Sequence, residues 1–340
     1  MTGLKPLSEQ SVVLTGATSG IGLATARRLC REGARVALVA RNAEALDALA
    51  REIGEAGGTA VAMPGDVADR ERMREIARQT AERFGGLDTV VNNAGVAIYG
   101  AVTDAAWEDQ RRLFETNYWG VVAGCLAAVE VFRRQGTPGK IVNVGSVLSD
   151  RAMIYQGPYS ASKHAVKAFT DALRMELHAA GEPISVTLVK PSAIDTPYME
   201  HARNLFDTEA TKNPPPAYHP ELVAKAICHA AEHDRRDIVV GGAAYLGAIG
   251  ANVLPAVTDV AMQLLGKSTQ TGRTPPREGT RDNLHAPRRD LSTRSEKDEV
   301  HPRRSSLYLE AQMHPRAAVG ALALVGLLIA AGARAARREA

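Results

Sequence analysis

Ser11-Val12-Val13-Leu14-Thr15-Gly16-Ala17-Thr18-Ser19-Gly20-Ile21-Gly22 runs an apolar segment into a glycine-rich turn. Beyond it Ile21, Ala24 and Leu29 recur at helical spacing, and Gly33 marks the stop. The order is strand, glycine turn, helix. Glycines in such a turn let the backbone approach a pyrophosphate, and the start of the helix favours its charge. The spacing is TGxxxGxG rather than the commoner GxGxxG, so a tight turn with no ligand is the alternative.

Outward from this stretch the same alternation repeats. Further strands are expected at Arg35–Ala40, Thr59–Pro64, Leu87–Val91, Lys140–Ser146, Ile184–Val189 and Asp237–Gly242. Helical patterns separate them: Asn42–Ala56, Asp69–Phe84, Ala105–Arg134, the stretch after Pro158, and Pro220–His233. Strands alternating with helices predict an α/β fold, a doubly wound parallel sheet. Ala244–Leu265 is apolar and mostly helical, interrupted by Pro255.

Tyr159-Ser160-Ala161-Ser162-Lys163 follows Pro158, a residue favoured at a helix start, and precedes an apolar helical pattern. Tyr159 and Lys163 therefore share a helix face, one turn apart. A neighbouring ammonium and the positive end of a helix both favour a phenolate. Tyr159 is thus expected to move toward the range where it exchanges a proton with a substrate oxygen. A helix with a surface Tyr and Lys is the bland alternative.

Other positions carry two readings each. Ala40 occupies the place at the end of the second strand where an acidic residue binds the ribose of NAD, and Arg41 follows it. An arginine there can pair with a 2′-phosphate, which favours NADP over NAD; an ordinary surface arginine is the alternative. Asp66 either bonds an adenine amine or caps the helix beginning near Asp69. Asn117, in the middle of a long helix, either marks a local break that holds a water or is a satisfied buried amide. Ser146 lies at the carboxyl end of its strand, the edge where open parallel sheets place ligands.

Together Thr15-Gly16-x3-Gly20-x-Gly22, Asn92-Asn93-Ala94-Gly95, Asn117, Ser146 and Tyr159-x3-Lys163 resemble the short-chain dehydrogenase/reductase family, over roughly residues 8 to 245. The resemblance implies a Rossmann fold and hydride transfer between a nicotinamide and a carbinol or carbonyl carbon. It implies Asn117, Ser146, Tyr159 and Lys163 as catalytic residues. Ser146 would hold the substrate oxygen, and Asn117 would support a proton-relay water. Gly16, Thr18, Ser19, Gly20, Ile21 and Gly22 would cradle the pyrophosphate. Asp66 and Val67 would flank the adenine, while Asn93, Ala94 and Gly95 lie along the cofactor. Pro191, Ile194 and Thr196 would follow the nicotinamide, and Lys163 would hold its ribose. One departure is visible: the family's Pro-Gly after the sixth strand is Pro191-Ser192 here. Two other functions fit the fold: a catalytically silent cofactor-sensing or scaffolding protein, and a sugar-nucleotide epimerase or dehydratase. The four catalytic residues together argue against the first; TGxxGxxG and a larger C-terminal domain, usual in the second, are not seen.

Composition bounds the rest. The chain has 340 residues, 45% hydrophobic, with a net charge of +3 that gives no sign of a nucleic-acid partner. Cys30, Cys125 and Cys228 are odd in number and far apart, which fits buried thiols and neither a disulfide frame nor a metal site. No basic segment followed by an apolar run opens the chain, so no secretory signal is expected. Residues 1–266 read as the catalytic domain, with a lid at about 197–219 around Pro214-Pro215-Pro216. Residues 267–315, rich in Arg, Pro, Ser and Thr, read as a flexible polar linker; packing through Leu307, Tyr308 and Leu309 is the alternative. Ala317–Ala333 is uncharged, with Arg316 before it and Arg334, Arg337 and Arg338 after it. A transmembrane helix with a basic tail over 316–336 is expected, anchoring a catalytic domain that faces the cytoplasm. A membrane anchor suits a lipophilic alcohol or carbonyl, with Met153, Tyr155, Met199, Leu205 and Phe206 as candidate pocket walls. Related proteins associate through the helices around Asn117 and Tyr159, so a homo-oligomer is expected.

Overall fold

The structure, a computed structural model, describes residues 3–206, 210–272, 282–288, 291–295, 301–321 and 323. The elements alternate as the pattern requires. The first half comprises β1 (Ser11–Thr15), α1 (Gly20–Arg31), β2 (Arg35–Val39), α2 (Ala43–Glu55), β3 (Thr59–Ala62), α3 (Arg70–Phe84), β4 (Thr89–Asn92) and the short β5 (Ile98–Tyr99). Next come α4 (Trp107–Phe114), one π turn (Glu115–Trp119), α5 (Gly120–Gln135), β6 (Gly139–Val144), α6 (Gly157–Ala179) and β7 (Ile184–Pro191). The rest comprises α7 (Tyr198–His201), β8 (Arg203–Asn204), α8 (Pro220–Glu232), β9 (Asp237–Val240), α9 (Gly242–Val253), α10 (Pro255–Gln270) and α11 (Leu307–Met313).

Seven strands form one parallel sheet in the order β3-β2-β1-β4-β6-β7-β9. Successive side chains point to opposite faces, so each face feeds its own core. Val12, Leu14, Val36 and Leu38 pack with α1, α2 and α8; Val13, Ala37 and Val39 pack with α3, α5 and α6. β1, β4, β6 and β7 are buried along their whole length, which explains why they are mostly apolar rather than alternating. The chain builds the sheet in one direction from β1 to β3 and in the other from β4 onward. The crevice beyond the carboxyl ends of β1 and β4 is the switch point where such sheets take ligands.

The described parts of residues 267–315 correct the expectation of a flexible linker. α10 runs on to Gln270. Residues 282–288 and 291–295 lie against the domain, and Leu284 is fully buried. α11 covers the exposed edge of the sheet. Gln312 accepts a hydrogen bond from Val239 N–H at 2.9 Å and donates one to Val239 C=O at 2.9 Å, as a neighbouring strand would. Of the three side chains named there, Leu309 enters the core beside Met313, Tyr308 meets the Tyr245 ring at 6.1 Å, and Leu307 stays exposed. The expected transmembrane segment lies, apart from residues up to 321 and residue 323, outside the described residues. Among the described residues no helix is long and apolar enough to cross a membrane.

Candidate active site

The glycine turn is shaped by close contacts. Gly16 and Gly20 take left-handed φ of 68° and 52°, which other residues adopt only at a cost. A Cβ on Gly22 would stand 1.9 Å from the Gly16 carbonyl oxygen, so only glycine lets α1 sit on the turn. A Cβ on Gly20 would stand 3.1 Å from Thr196 Cβ, which brings the loop after β7 against the turn. Asn93 fixes the other side: its side-chain amide donates to Thr15 C=O at 2.9 Å and Gly16 C=O at 3.3 Å. Thr15 Oγ1 accepts from the backbone N–H of Asn93 and of Ala94, at 2.9 and 3.0 Å.

At the outer end of β2, Arg41 follows Ala40, and Asn42 caps α2 by accepting from Ala45 N–H. Burial lowers the Arg41 pKa, with Asp66 opposing that shift and Arg112 adding to it. The two readings of Asp66 separate. Asp69, not Asp66, caps α3. Asp66 accepts from Ala68 N–H at 3.0 Å and pairs with Arg112. That pairing offsets much of the Asp66 charge, and no carboxylate among the described residues forms an ion pair with Arg41.

Tyr159 and Lys163 stand one turn apart on α6, as their spacing demands, with Lys163 Nζ 5.6 Å from the Tyr159 ring centre. Lys163 donates to Val144 C=O at 2.9 Å. Burial lowers its pKa to about 8. The expected shift of Tyr159 runs the other way: burial raises it, while the Tyr198 and Ser146 hydroxyls oppose this only in part. The ammonium expected to favour the phenolate does not overcome desolvation. Ser146 Oγ accepts from Leu148 N–H at 3.1 Å, which leaves its own proton to donate.

Asn117 lies inside the π turn between α4 and α5, so the break anticipated in that helix is real. Its amide, however, is engaged as in the alternative reading. Oδ1 accepts from Val96 N–H at 2.8 Å, and Nδ2 donates to Val96 C=O at 3.0 Å and Ser162 Oγ at 3.1 Å. Asn117 therefore ties the strand-end loop to α6. The departure at Ser192 is absorbed by Gly241, where a Cβ would stand 1.9 Å from Ser192 Oγ.

One cavity of about 590 Å³ gathers these groups. Every residue expected to hold the cofactor lines it, as do Ser146, Tyr159 and Lys163; of the expected set only Asn117 lies off its wall. The substrate-side expectation needs correction. Met153 lines the cavity, but Tyr155 and Phe206 lie off it and meet each other edge-on, ring centres 5.4 Å apart, and Met199 is buried with Ala97 and Tyr99. Leu205 packs instead with Ile98 and Leu113. The apolar wall is made by Tyr99, Leu148 and Pro214–Pro216 and by Ala248, Ala251 and Met262 of α9 and α10. Sequence reading missed Tyr198, whose ring meets Tyr159 edge-on at 5.6 Å. Its place two residues after Thr196, in the expected lid, was the available signal.

The site fits an anionic dinucleotide on its own geometry. The glycine turn leaves no room for side chains, and Arg41 and Lys163 stand along one cavity. Thr116 Oγ1 and Ser192 Oγ are buried at its wall and make no hydrogen bond among the described residues. Buried hydroxyls of this kind are normally satisfied, so two in one cavity mark a place for polar ligand atoms or water.

The sheet order and this crevice define a nucleotide-binding α/β protein of the Rossmann type. The family model described as short chain dehydrogenase matches residues 10–205. The chain is 42% identical over 277 residues to the "Uncharacterized oxidoreductase YxnA" of Bacillus subtilis, covering 81% of this chain and 78% of that one. It is 37% identical over 193 residues to the bovine "Dehydrogenase/reductase SDR family member 7B", covering 54% of this chain and 58% of that one. Among solved structures it is similar to an alcohol dehydrogenase from Thermococcus sibiricus complexed with 5-hydroxy-NADP. The TM-score is 0.59 at 26% identity, over 68% of this chain and 95% of that one. The chain belongs to the short-chain dehydrogenase family, and it is an oxidoreductase with a nicotinamide cofactor.

Proposed function

We propose that this protein interconverts an alcohol and a carbonyl on a lipophilic small molecule, with NADP(H) as cofactor. The observation that carries the reading is the convergence of Ser146, Tyr159 and Lys163 on the cavity that also holds the glycine turn and Arg41. The nicotinamide, when bound, supplies or accepts the hydride. Tyr159 gives its proton to the substrate oxygen in reduction and takes it in oxidation. Ser146 donates its hydroxyl proton to the same oxygen as negative charge develops there. Lys163 tunes Tyr159 and holds the cofactor ribose, and Asn117 keeps the π turn and the strand-end loop in register with α6. Arg41, with much of the Asp66 charge offset by Arg112, favours the extra phosphate of NADP over NAD.

A lipophilic substrate is supported by the apolar cavity wall and by its rim. Leu246, Ile249, Val253, Leu254, Val257, Val260, Leu264 and Leu265 are exposed on α9 and α10, whose other faces line the cavity. The uncharged run Ala317–Ala333 supports a C-terminal membrane anchor, with the catalytic domain on the cytoplasmic side where NADPH is supplied. Exposed Trp119 and Leu126 near Asn117, with Met175 on α6, support a homo-oligomer through that face.

The test is NADPH oxidation by the full chain in detergent, against panels of aldehydes, ketones and lipid carbonyls. Consumption of apolar ketones supports the reading. Tight NADPH binding with no turnover on any panel would leave only a cofactor-binding protein. Carbonate washing of membranes tests the anchor: full release into the wash removes it.

A further inference from the structure

The polar tail returns to the crevice along a defined path. At its start Leu284 is fully buried among Val96, Ile98, Ala105 and Leu113. Asp282 pairs with Arg203 at 2.9 Å, and His285 meets Asp109 at 2.7 Å. Arg203 also pairs with Asp109 at 2.7 Å, which ties this stretch to β8 and α4 together. Arg41 donates to three successive tail carbonyls, those of Asn283, Leu284 and His285. Farther on, Ser292 C=O accepts from Gly20 N–H at 2.9 Å, at the first residue of α1. Arg294 pairs with buried Asp195 at 2.7 Å, beside Thr196. The path thus runs from the Arg41 end, past the glycine turn, to the loop after β7.

Arg288 lies between these anchor points. Its backbone carbonyl accepts from Asn42 Nδ2 at 3.4 Å, and its guanidinium donates to Glu200 C=O at 2.8 Å. It therefore spans from the start of α2 to α7. It lines the same cavity as the glycine turn, and no carboxylate among the described residues pairs with it. A guanidinium without a carboxylate, facing a site built for phosphates, has the fork geometry that phosphate oxygens accept.

We propose that residues 282–288 and 291–295 form a strap whose first part, through Asn283, Pro287 and Arg288, is a wall of the dinucleotide site and whose second part anchors it. Arg288 supplies a phosphate-binding cation, and the carbonyls of Asn283, Leu284 and His285 set Arg41 for the ribose phosphate. Cofactor release then requires the strap to lift. This inference rests on the nicotinamide-cofactor reading above. It adds to that reading a set of cofactor contacts some 240 positions away in sequence from Arg41.

The test uses the full chain with three measurements: NADP⁺ affinity by calorimetry, NADPH release in stopped flow, and trypsin cleavage after Arg288 and Arg294. Arg288→Gln should weaken NADP⁺ about tenfold, the loss of roughly one charge-assisted hydrogen bond. Leu284→Asn frees the anchor and should speed NADPH release about tenfold or more. Saturating NADP⁺ should protect the wild-type strap from trypsin. Arg288 is only half-buried, so its variant stays informative if Leu284→Asn fails to fold. Tighter binding in Leu284→Asn, or cleavage accelerated by NADP⁺, would make the strap a competitor for the site and overturn the proposal. Unchanged affinity in Arg288→Gln with unchanged protection would make it mere packing. Failure of every form to bind either NADP⁺ or NAD⁺ would instead defeat the cofactor reading, and the strap proposal with it.

Discussion

Arg41→Ala is the perturbation that separates NADP from NAD. Two losses are bundled in it. The first is the cation that faces the extra phosphate. A phosphate charge about 4 Å from a guanidinium is worth roughly 4 kcal/mol at an effective dielectric near 20, before desolvation is subtracted. Measured charge-assisted hydrogen bonds net about 1.5–3 kcal/mol, or roughly a 10- to 100-fold loss in affinity. The second loss is the set of hydrogen bonds from Arg41 to Asn283, Leu284 and His285, which slackens the strap whichever cofactor is used. NADPH should therefore lose both amounts and NADH only the second. The readout is the ratio of the two dissociation constants, taken from fluorescence enhancement of each reduced cofactor. Arg41→Lys refines the comparison: it keeps a charge but cannot fork to several carbonyls, so it should retain most of the preference while loosening both cofactors. Equal losses for NADPH and NADH in Arg41→Ala would refute the assignment of Arg41 to the phosphate.

Tyr159→Phe should lower turnover by about 10²–10⁴-fold, the usual worth of a positioned acid, while NADPH affinity stays within about twofold; unchanged turnover would remove Tyr159 from the chemistry. Lys163 without cofactor is held near a pKa of about 8, charged below that value and neutral above it. Affinity for anionic NADPH should thus be level below pH 8 and fall as pH rises through 8, and Lys163→Met should flatten that fall in a binding titration. Lys140 is fully buried on β6, donating to Ser185 and Thr187 hydroxyls, and burial lowers its pKa from 10.5 to about 7. Between pH 7 and 10.5 the unfolded chain holds the extra proton, so this group makes stability rise with pH by up to roughly 1.4 kcal/mol per unit. Lys140→Met should remove that slope in denaturant titrations; an identical slope in both proteins would show that the buried amine does not titrate in this window.

The sheet was readable because its buried strands are short, mostly apolar runs of four to eight residues, closed by Gly16 after β1, Asn92 in β4, Gly145 after β6 and Pro191 in β7. The positions that line the crevice were readable for a related reason. Gly16 and Gly20 are dictated by their own left-handed φ and Gly22 by the nearby Gly16 carbonyl, and Tyr159 and Lys163 by one helical turn. The tail was not readable. Among the described residues its one buried large apolar side chain before α11 is Leu284, and Asp282, His285 and Arg294 find their partners in Arg203, Asp109 and Asp195, about 80 to 180 positions away. Composition alone marks such a segment as unable to fold. Here a finished surface supplies the partners. The Gln312 cover of the β9 edge is hidden likewise, since a side-chain amide imitating a strand has no periodicity.

The electrostatics of Tyr159 and Lys163 bear on the direction in which the site is set. Burial raises the phenol and lowers the ammonium, so both shifts favour uncharged groups. A raised phenol keeps its proton across neutral pH and stands ready as an acid, the role required for reducing a carbonyl. A depressed lysine regains its charge most readily beside added negative charge, and phosphates entering along the Arg41–Arg288 side bring it. Filling the cofactor half of the cavity would then restore the Lys163 ammonium one turn from Tyr159 and pull the phenol back down. The pair is thus tuned by occupancy of the neighbouring cleft, and the helical spacing fixes only where the tuning acts.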